Sequence, residues 1–359
     1  MVLEAVIVLL KAGFIITVAL TFGAVLTWVE RKQSAVMQDR IGANRAAILG
    51  LRVIGLFHIL SDAIKMFTKE EFTPARGDKF LHTLAPALSI FFALMTFAAI
   101  PFGDTLRVGN RVIDLQVANL NAAVLFVFAM VSLGVYGVVL GGWASENNYS
   151  FLGGMRASAQ MISYEVTLGV SVIGALLIYG TLNLQEMVRY QGHMYAGWIP
   201  RWGILLQPLG FLLFLVAGIA ETKRVPFDLP EGESEIVGYW VEYSSMKWGM
   251  YMFTDFIEMT LLSAMASTLF LGGWQVPWLM PDGFHFPWAT VPLPHLAVVV
   301  LQVGAFLLKV SFLLWLQMLI RWTLPRVRYD QLMAITWKYL LPLSLLNVIL
   351  TAAVLLVLR

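Results

Sequence analysis

Long apolar stretches dominate this sequence and restrict it to a membrane fold. Eight of them are about as long as a membrane-crossing helix, at about 3–28, 80–102, 118–143, 160–182, 204–221, 250–272, 295–320 and 336–358. Such a helix needs about 20 mostly apolar residues, because the hydrocarbon core is about 30 Å thick. Strands of a membrane barrel alternate in polarity over about ten residues, whereas these stretches are continuous. The sequence therefore predicts an all-α polytopic membrane protein of about eight transmembrane helices, forming a single transmembrane domain over 1–359.

Composition and charge support this class and predict an orientation. Hydrophobic residues make up 59% of the chain and charged residues 13%, against about 45–50% and about 25% in soluble domains. Most of the 24 Lys and Arg lie in loops that follow the odd-numbered stretches. Since Lys and Arg accumulate in cytoplasmic loops, these loops are predicted to be cytoplasmic and both termini extracytoplasmic.

The first cytoplasmic loop contains a predicted interfacial helix at about 50–69. Its apolar residues recur at helical spacing, at Ile54, Phe57, Leu60, Ile64 and Phe67, with polar residues elsewhere on the wheel. This segment is too polar to cross a membrane. We expect it to lie in the interface, with its apolar face against lipid or the transmembrane helices.

Four carboxylic acids lie inside or at the end of predicted spans: Glu165, Glu221, Asp255 and Glu258. A charge at mid-bilayer costs at least about 2.5–3.5 kcal/mol unless it is paired or hydrated, so such residues commonly handle protons or ions. Asp255 and Glu258 are three residues apart and share one helix face. We expect a proton or cation path. The alternative is that these acids form buried ion pairs, with Lys11 or Lys309 as partners, which fix helix packing.

A second concentration of acids occupies the predicted cytoplasmic loop at 221–242. It holds six of the 22 acidic residues, namely Glu221, Asp228, Glu231, Glu233, Glu235 and Glu242. Their mutual repulsion requires cations, Arg partners or shared protons to relieve it, and Arg224 is a nearby partner for Asp228. The alternative interpretation is a solvated acidic loop.

Several chemistries are excluded or disfavoured. The chain has no Cys and therefore no Cys-ligated iron–sulfur cluster. Its five His are scattered without ligand spacing, so no metal site is expected. Phosphate-binding motifs of the GxxxxGK[ST] and GxGxxG types are missing, which makes nucleotide binding improbable. Any redox chemistry must belong to a diffusible substrate or to a partner subunit.

Several motifs taken together resemble one family. They are WVERK (28–32), DRIGANR (39–45), LSDAIKMFTKE (60–70), GGWASENNYSFLGGMRASAQMISYEV (141–166), AETKRVPFDLPEGESE (220–235), VEYSSMKW (241–248), LFLGGW (269–274) and PRVRYDQLM (325–333). In this order they are similar to the H subunit of respiratory complex I, the proton-translocating NADH:quinone oxidoreductase. Mitochondria carry the same protein as NADH dehydrogenase subunit one.

The resemblance implies an enzyme subunit that is not catalytic alone. It implies that the chain forms much of a quinone-binding cavity and couples quinone reduction to proton translocation through buried carboxylates. Quinone is then a substrate, no cofactor is covalently bound here, and FMN and iron–sulfur clusters belong to partner subunits. The implied partners are two peripheral-arm subunits near the terminal iron–sulfur cluster, small membrane subunits, antiporter-like subunits and membrane lipid, without nucleic acid. The implied location is the bacterial inner (plasma) membrane.

The expected site residues fall into three groups. The proton path consists of Glu165, Glu221, Glu231, Glu233, Glu235, Glu242, Asp255 and Glu258. By resemblance, the quinone cavity takes Arg40, Arg45, Asp62, Arg224 and Asp228, and the basic coupling residues are Lys309 and Arg321. No metal ligand and no residue catalytic in this chain alone are expected.

The chain also departs from the family pattern. GANR replaces the usual GPNR, and about five extra residues near 46–54 alter the expected quinone entrance. In the sixth span TDF replaces AEY, so Asp255 stands in for a longer Glu, and Ser132 lies where some relatives have an acid. These departures leave one alternative open, the homologous subunit of a membrane-bound hydrogenase or ferredoxin-linked complex. A stand-alone ion carrier is a lesser alternative, because such carriers are commonly built from repeats with broken helices, which this sequence does not show.

Overall fold

The computed structural model describes residues 2–109, 111–195, 198–229, 238–286 and 288–357. Twelve α-helices are described, the last continuing a π-helical segment, Ile335–Leu340. They are α1 Val2–Met37, α2 Phe57–Thr68, α3 Lys79–Thr96, α4 Ala123–Ala144, α5 Asn148–Tyr179, α6 Leu184–Gln191, α7 Gly203–Leu206, α8 Pro208–Glu221, α9 Ser245–Phe270, α10 His295–Thr323, α11 Tyr329–Ala334 and α12 Leu341–Val357. Short 3-10 turns occupy Val53–Gly55 and Phe97–Ala99.

Seven short strands form three small antiparallel sheets in the connections. The strands are β1 Thr105–Val108, β2 Arg111–Asp114, β3 Met194–Tyr195, β4 Ile199–Pro200, β5 Leu279–Met280, β6 Gly283–Phe286 and β7 Ala289–Pro292. β1 pairs with β2, β3 with β4, and β5–β6–β7 form a three-stranded sheet.

Local sequence signals set several helix ends. The Asp78 carboxylate accepts hydrogen bonds from the backbone N–H groups of Phe80 (2.9 Å) and Leu81 (3.1 Å), which caps the start of α3. Asn147 caps α5 in the same way. Gly180 ends α5 with a φ of +67°, a left-handed conformation that glycine adopts without steric cost.

Six helices are long and apolar enough to cross a membrane within the described ranges, which confirms the predicted all-α polytopic class. They cover Val6–Met37, Lys79–Ala99, Ala123–Ala144, Asn148–Tyr179, His295–Thr323 and Tyr329–Val357. The other two predicted spans correspond to α7 with α8, and to α9. α8 has only 14 residues, and a break at Gln207 separates it from α7. α9 has 26 residues but carries Lys247, Asp255 and Glu258.

α9 lies at the centre of the bundle. It packs against α1, α2, α3, α8 and α10, and most of its side chains are buried. α8 runs antiparallel to it, since Gly218 packs against Leu262 while Gly203, in α7, packs against Leu269. The C-terminal ends of α1, α8 and α10 therefore meet the N-terminal half of α9 at one end of the bundle, which we call the site end.

The small sheets lie at the opposite end, which we call the hairpin end. The backbone N–H of Arg107, in β1, donates to His295 at the start of α10 (3.1 Å). The rings of Trp198 and Trp288, beside β4 and β7, lie 5.8 Å apart. These contacts tie the connections together on the side away from the charged residues described next.

Candidate functional site

A cavity of about 510 Å³ opens at the site end beside α1, and we call it the α1 cavity. Its wall includes Glu30, Arg31, Arg40, His58, Met252 and Trp322. Pockets for small organic ligands usually measure about 300–1,000 Å³ and combine apolar walls with a few polar groups. The volume and the mixed wall therefore suit a small organic ligand with polar and apolar parts.

Glu30 joins the wall of the α1 cavity to two arginines from distant parts of the chain. One carboxylate oxygen lies 3.1 Å from an Arg321 nitrogen, and the other lies 3.5 Å from an Arg224 nitrogen. The Arg224 guanidinium also lies over the Phe256 ring, 4.2 Å from its centroid. The predicted residues Arg224 and Arg321 are thus brought together by an acid of α1.

Asp62 lies next to the α1 cavity and lines a smaller one of about 80 Å³ that shares Arg31 and Met252 with it. The Asp62 carboxylate pairs with Arg31 (2.6 Å) and with Lys65 (3.5 Å), which lies three residues further along α2. α2 carries Asp62 and covers Phe57–Thr68, within the stretch expected to be interfacial.

Two acidic residues of α9 share a buried cation, Lys223, which directly precedes Arg224 in the chain. The Lys223 Nζ lies 3.1 Å from Asp255 Oδ1 and 3.5 Å from Glu258 Oε2. The Lys223 side chain is only 2% exposed. Burial lowers the pKa of Lys223, but the charges of Asp255 and Glu258 outweigh it and raise that pKa well above its usual range. Lys223 is therefore positively charged at neutral pH.

Three acids from three helices surround a second cavity of about 40 Å³, which we call the acid cavity. Glu165 of α5, Glu221 of α8 and Glu258 of α9 line it among apolar side chains. This volume has room for more than one water molecule. Both carboxyl oxygens of Glu221 are buried without a hydrogen-bond partner among the described residues. The Ser132 hydroxyl of α4 donates to Glu165.

The turn after α8 is held by α5 and by the segment before α11. Gln160 donates to the backbone carbonyls of Ala220 and Phe227, both at 2.7 Å. Asp228 accepts a hydrogen bond from Arg326 at 3.0 Å, whereas Arg224, the partner expected from the sequence, lies 3.5 Å from Glu30 instead. Burial raises the pKa of Asp228 to about 6, and nearby arginines oppose this rise.

The other predicted site residues lie elsewhere. Glu242 accepts a hydrogen bond from Asn147 (2.8 Å), outside the wall of the acid cavity. Arg45 is exposed and is not part of the α1 cavity wall. Lys309 donates to three backbone carbonyls just after α9, at 2.7–2.8 Å. Glu231, Glu233 and Glu235 lie outside the described residues.

Sequence reasoning missed the roles of Glu30, Lys223 and Arg326. Glu30 stands in WVERK beside two basic residues, where it was interpreted only as part of a motif. The sequence does contain a signal for Glu30, because an acid at the end of an apolar stretch needs a compensating partner. The identity of that partner depends on tertiary contacts that no local pattern contains.

The fold and site define a polytopic α-helical membrane protein with a ligand-sized cavity linked by ion pairs to acids inside its bundle. A family model described as NADH dehydrogenase matches residues 10–352. The similar proteins include an H subunit of NADH-quinone oxidoreductase from Cytophaga hutchinsonii, 43% identical over 350 residues and 96% of each chain. The H subunit of the same enzyme from Thermomicrobium roseum is 44% identical over 347 residues, 95% of this chain and 94% of its own.

The chain therefore belongs to the NADH dehydrogenase family, as its motifs predicted. A further relative, an H subunit from Rhizobium meliloti, is 41% identical over 349 residues and 97% of both chains. These relatives are each named as one subunit of an enzyme complex. The chain is therefore a subunit of such a complex, as predicted, and is not catalytic alone.

Proposed function

We propose that the chain is the membrane subunit of an NADH–quinone oxidoreductase that receives the quinone head group in the α1 cavity. The size and mixed wall of that cavity support this, with Arg40 and Glu30 as polar groups and Met252 and Trp322 as apolar ones. Asp62 orients Arg31 toward the same space by the 2.6 Å ion pair. Arg224 contacts Glu30 of this wall, and Asp228 pairs with Arg326, which connects the turn after α8 to the segment before α11.

The coupling route that we propose runs from Glu30 through Arg224 and Lys223 to the acid cavity. The single observation that carries the proposal is that two consecutive residues contact both regions: Arg224 pairs with Glu30 in the wall of the α1 cavity, and Lys223 pairs with Asp255 and Glu258 inside the bundle. Glu258 also lines the acid cavity. When quinone is reduced and takes up protons, the charge in the α1 cavity changes. That change alters the pairing of Glu30 with its arginines, and the acids beyond respond by changing protonation.

Electrons are supplied by partner subunits that carry FMN and iron–sulfur clusters, and quinone is the substrate. The proposed partners are the peripheral-arm subunits over the site end and the small and antiporter-like subunits beside the acid cavity. The proposed orientation has the site end cytoplasmic in a bacterial inner membrane, since Arg31, Arg40 and Arg224 lie there. Arg321 belongs to the coupling route, whereas the backbone contacts of Lys309 support a structural role.

The Glu221→Gln variant of the assembled complex tests the route. Proton pumping linked to quinone reduction should be lost, because Gln cannot release a proton, while NADH oxidation by a hydrophilic artificial acceptor should be unchanged. Glu186→Gln is the matched control, since Glu186 contacts Thr181 at the hairpin end. Undiminished pumping by Glu221→Gln would reject the route.

A further inference from the structure

Lys223 occupies an unusual position for a lysine. It directly follows the C-terminal turn of α8, with a backbone φ of +54°, and its side chain turns inward to become almost fully buried. A buried charge is retained only when its partners compensate for the loss of water. Its two partners are Asp255 and Glu258, from adjacent turns of α9.

The acids at and beside the acid cavity differ in how their charges are compensated. Asp255 and Glu258 have the ammonium of Lys223 between them, and Arg224 lies next along the chain. One oxygen each of Asp255 and Glu258 also lacks a hydrogen bond but lies within ion-pair distance of Lys223, whereas Glu221 has two buried oxygens with neither a hydrogen bond nor an ion pair among the described residues. A carboxyl group without such compensation is most stable in its neutral, protonated form.

We propose that Lys223 is a positioning residue of the coupling route: it keeps Asp255 and Glu258 ionised, so that the exchangeable proton of the acid cavity is held on Glu221. This inference rests on the proposed function. The short side chain of Asp255 is reached by the long side chain of Lys223, at 3.1 Å. Arg224 contacts Glu30 and directly follows Lys223 in the chain. A change of charge in the α1 cavity can therefore reach the ion pairs of Lys223.

The titratable groups facing Lys223 come from several elements. α9 supplies Asp255 and Glu258, α8 supplies Glu221, and the segment before α9 supplies Tyr239. Removing the ammonium leaves the two carboxylates of α9 facing each other without a buried cation. One of them must then take up a proton, because two adjacent buried carboxylates cannot both remain ionised.

The test uses Lys223→Met, Lys223→Arg and the double variant Lys223→Met/Asp255→Asn in the purified complex. Infrared spectroscopy measures protonated carboxyl groups, and proteoliposomes measure protons pumped per NADH. Lys223→Met should gain about one protonated carboxyl per complex and lose pumping, whereas Lys223→Arg should retain both wild-type properties. The double variant should return the carboxyl signal to the wild-type level, since one charge of each sign is gone. Lys79→Met, at an exposed site, is the control.

An unchanged carboxyl signal together with normal pumping in Lys223→Met would overturn the inference. If that variant does not assemble, the double variant decides. Assembly with a wild-type carboxyl signal supports the inference, and failure like that of the single variant overturns it. The proposed function is judged separately, because Glu221→Gln and inhibition by a quinone-site blocker do not involve Lys223.

Discussion

Individual charges at the site end are compensated by partners that are far apart in the sequence. Glu30 pairs with Arg321, Lys223 with Asp255, and Asp228 with Arg326. Lys223 and Asp255 are both buried, and removing one partner of such a pair commonly costs about 3–5 kcal/mol, because the remaining charge is left without compensation. Each of these residues therefore influences both the stability of the site end and its charge.

Asp228 offers a prediction of pH dependence. Burial raises its pKa in the folded protein to about 6 from an ordinary value of 3.8. The folded state thus binds this proton more tightly than the unfolded state does. The resulting stabilisation is fully present below pH 3.8 and is lost as the pH rises through about 6. Asp228→Asn cannot ionise, so it should remove this contribution, which is on the order of 3 kcal/mol at most.

The measurement is the melting temperature of the purified complex between pH 4 and pH 7, followed by a probe placed on this chain. As the pH rises, the melting temperature of Asp228→Asn should increase relative to that of wild type. Asp282→Asn, at an exposed position of the hairpin end, should run parallel to wild type. Parallel profiles for Asp228→Asn as well would show that the carboxyl titrates normally.

The acids of the site were predictable as residues, but their pairings were not. Glu165, Glu221 and Glu258 were identified because charges are rare in apolar stretches, and they line one cavity. Lys223 is only one position from the predicted Arg224, yet its inward direction depends on the turn after α8 and on the position of α9. Local sequence contains neither.

At the scale of elements, the junction between α9 and α10 depends on Lys309. Its ammonium donates to the carbonyls of Leu271, Gly273 and Gln275, and it lies 4.6 Å from the Trp202 ring centroid. These carbonyls belong to the segment after α9, so they need donors from elsewhere in the chain, and a cation near a helix C-terminus is favourable. Lys309 therefore joins the segment after α9 to α10 and contacts Trp202, which directly precedes α7.

Lys309→Met should consequently weaken assembly and lower thermal stability, because each buried carbonyl left without a partner costs about 1–3 kcal/mol. Protons pumped per NADH by the complex that does assemble should be unchanged. Lys338→Met, at an exposed position, controls for loss of a positive charge. A lower pumping ratio in assembled Lys309→Met complex would instead favour the coupling role suggested by the family resemblance.

Long helices were more predictable than the details within them. Continuous apolar runs identified α4, α10 and α12, since hydrocarbon length fixes the number of residues required. The break at Gln207 lies inside an apolar run, where Pro208 disfavours helical backbone at the residue before it, and the Gln207 side chain hydrogen-bonds to Thr351 and Asn347 of α12. The sheets of the hairpin end were not predicted, because strands of two to four residues leave too short a pattern of alternation.

At the scale of the whole molecule, the arrangement separates a charged end from an aromatic, hairpin-bearing end. α9 connects them, with Lys223 against Asp255 and Glu258 near its middle and Lys309 beyond its C-terminal end. Hydropathy predicted the polytopic class, and the Lys and Arg distribution predicts which end faces the cytoplasm. The antiparallel packing of α8 against α9 supports the interpretation that both cross the membrane.

The orientation can be tested directly because the chain contains no Cys. Ala75, between α2 and α3 at the site end, and Thr290, in β7 at the hairpin end, are both exposed. Single Ala75→Cys and Thr290→Cys variants would be treated with a membrane-impermeant maleimide in vesicles of each orientation. Thr290→Cys should react in right-side-out vesicles and Ala75→Cys only in inside-out ones, because the site end carries the cytoplasmic arginines. The reverse pattern would place the α1 cavity outside the cell, and labelling of both from one side would mean that the two ends do not lie on opposite faces of the membrane.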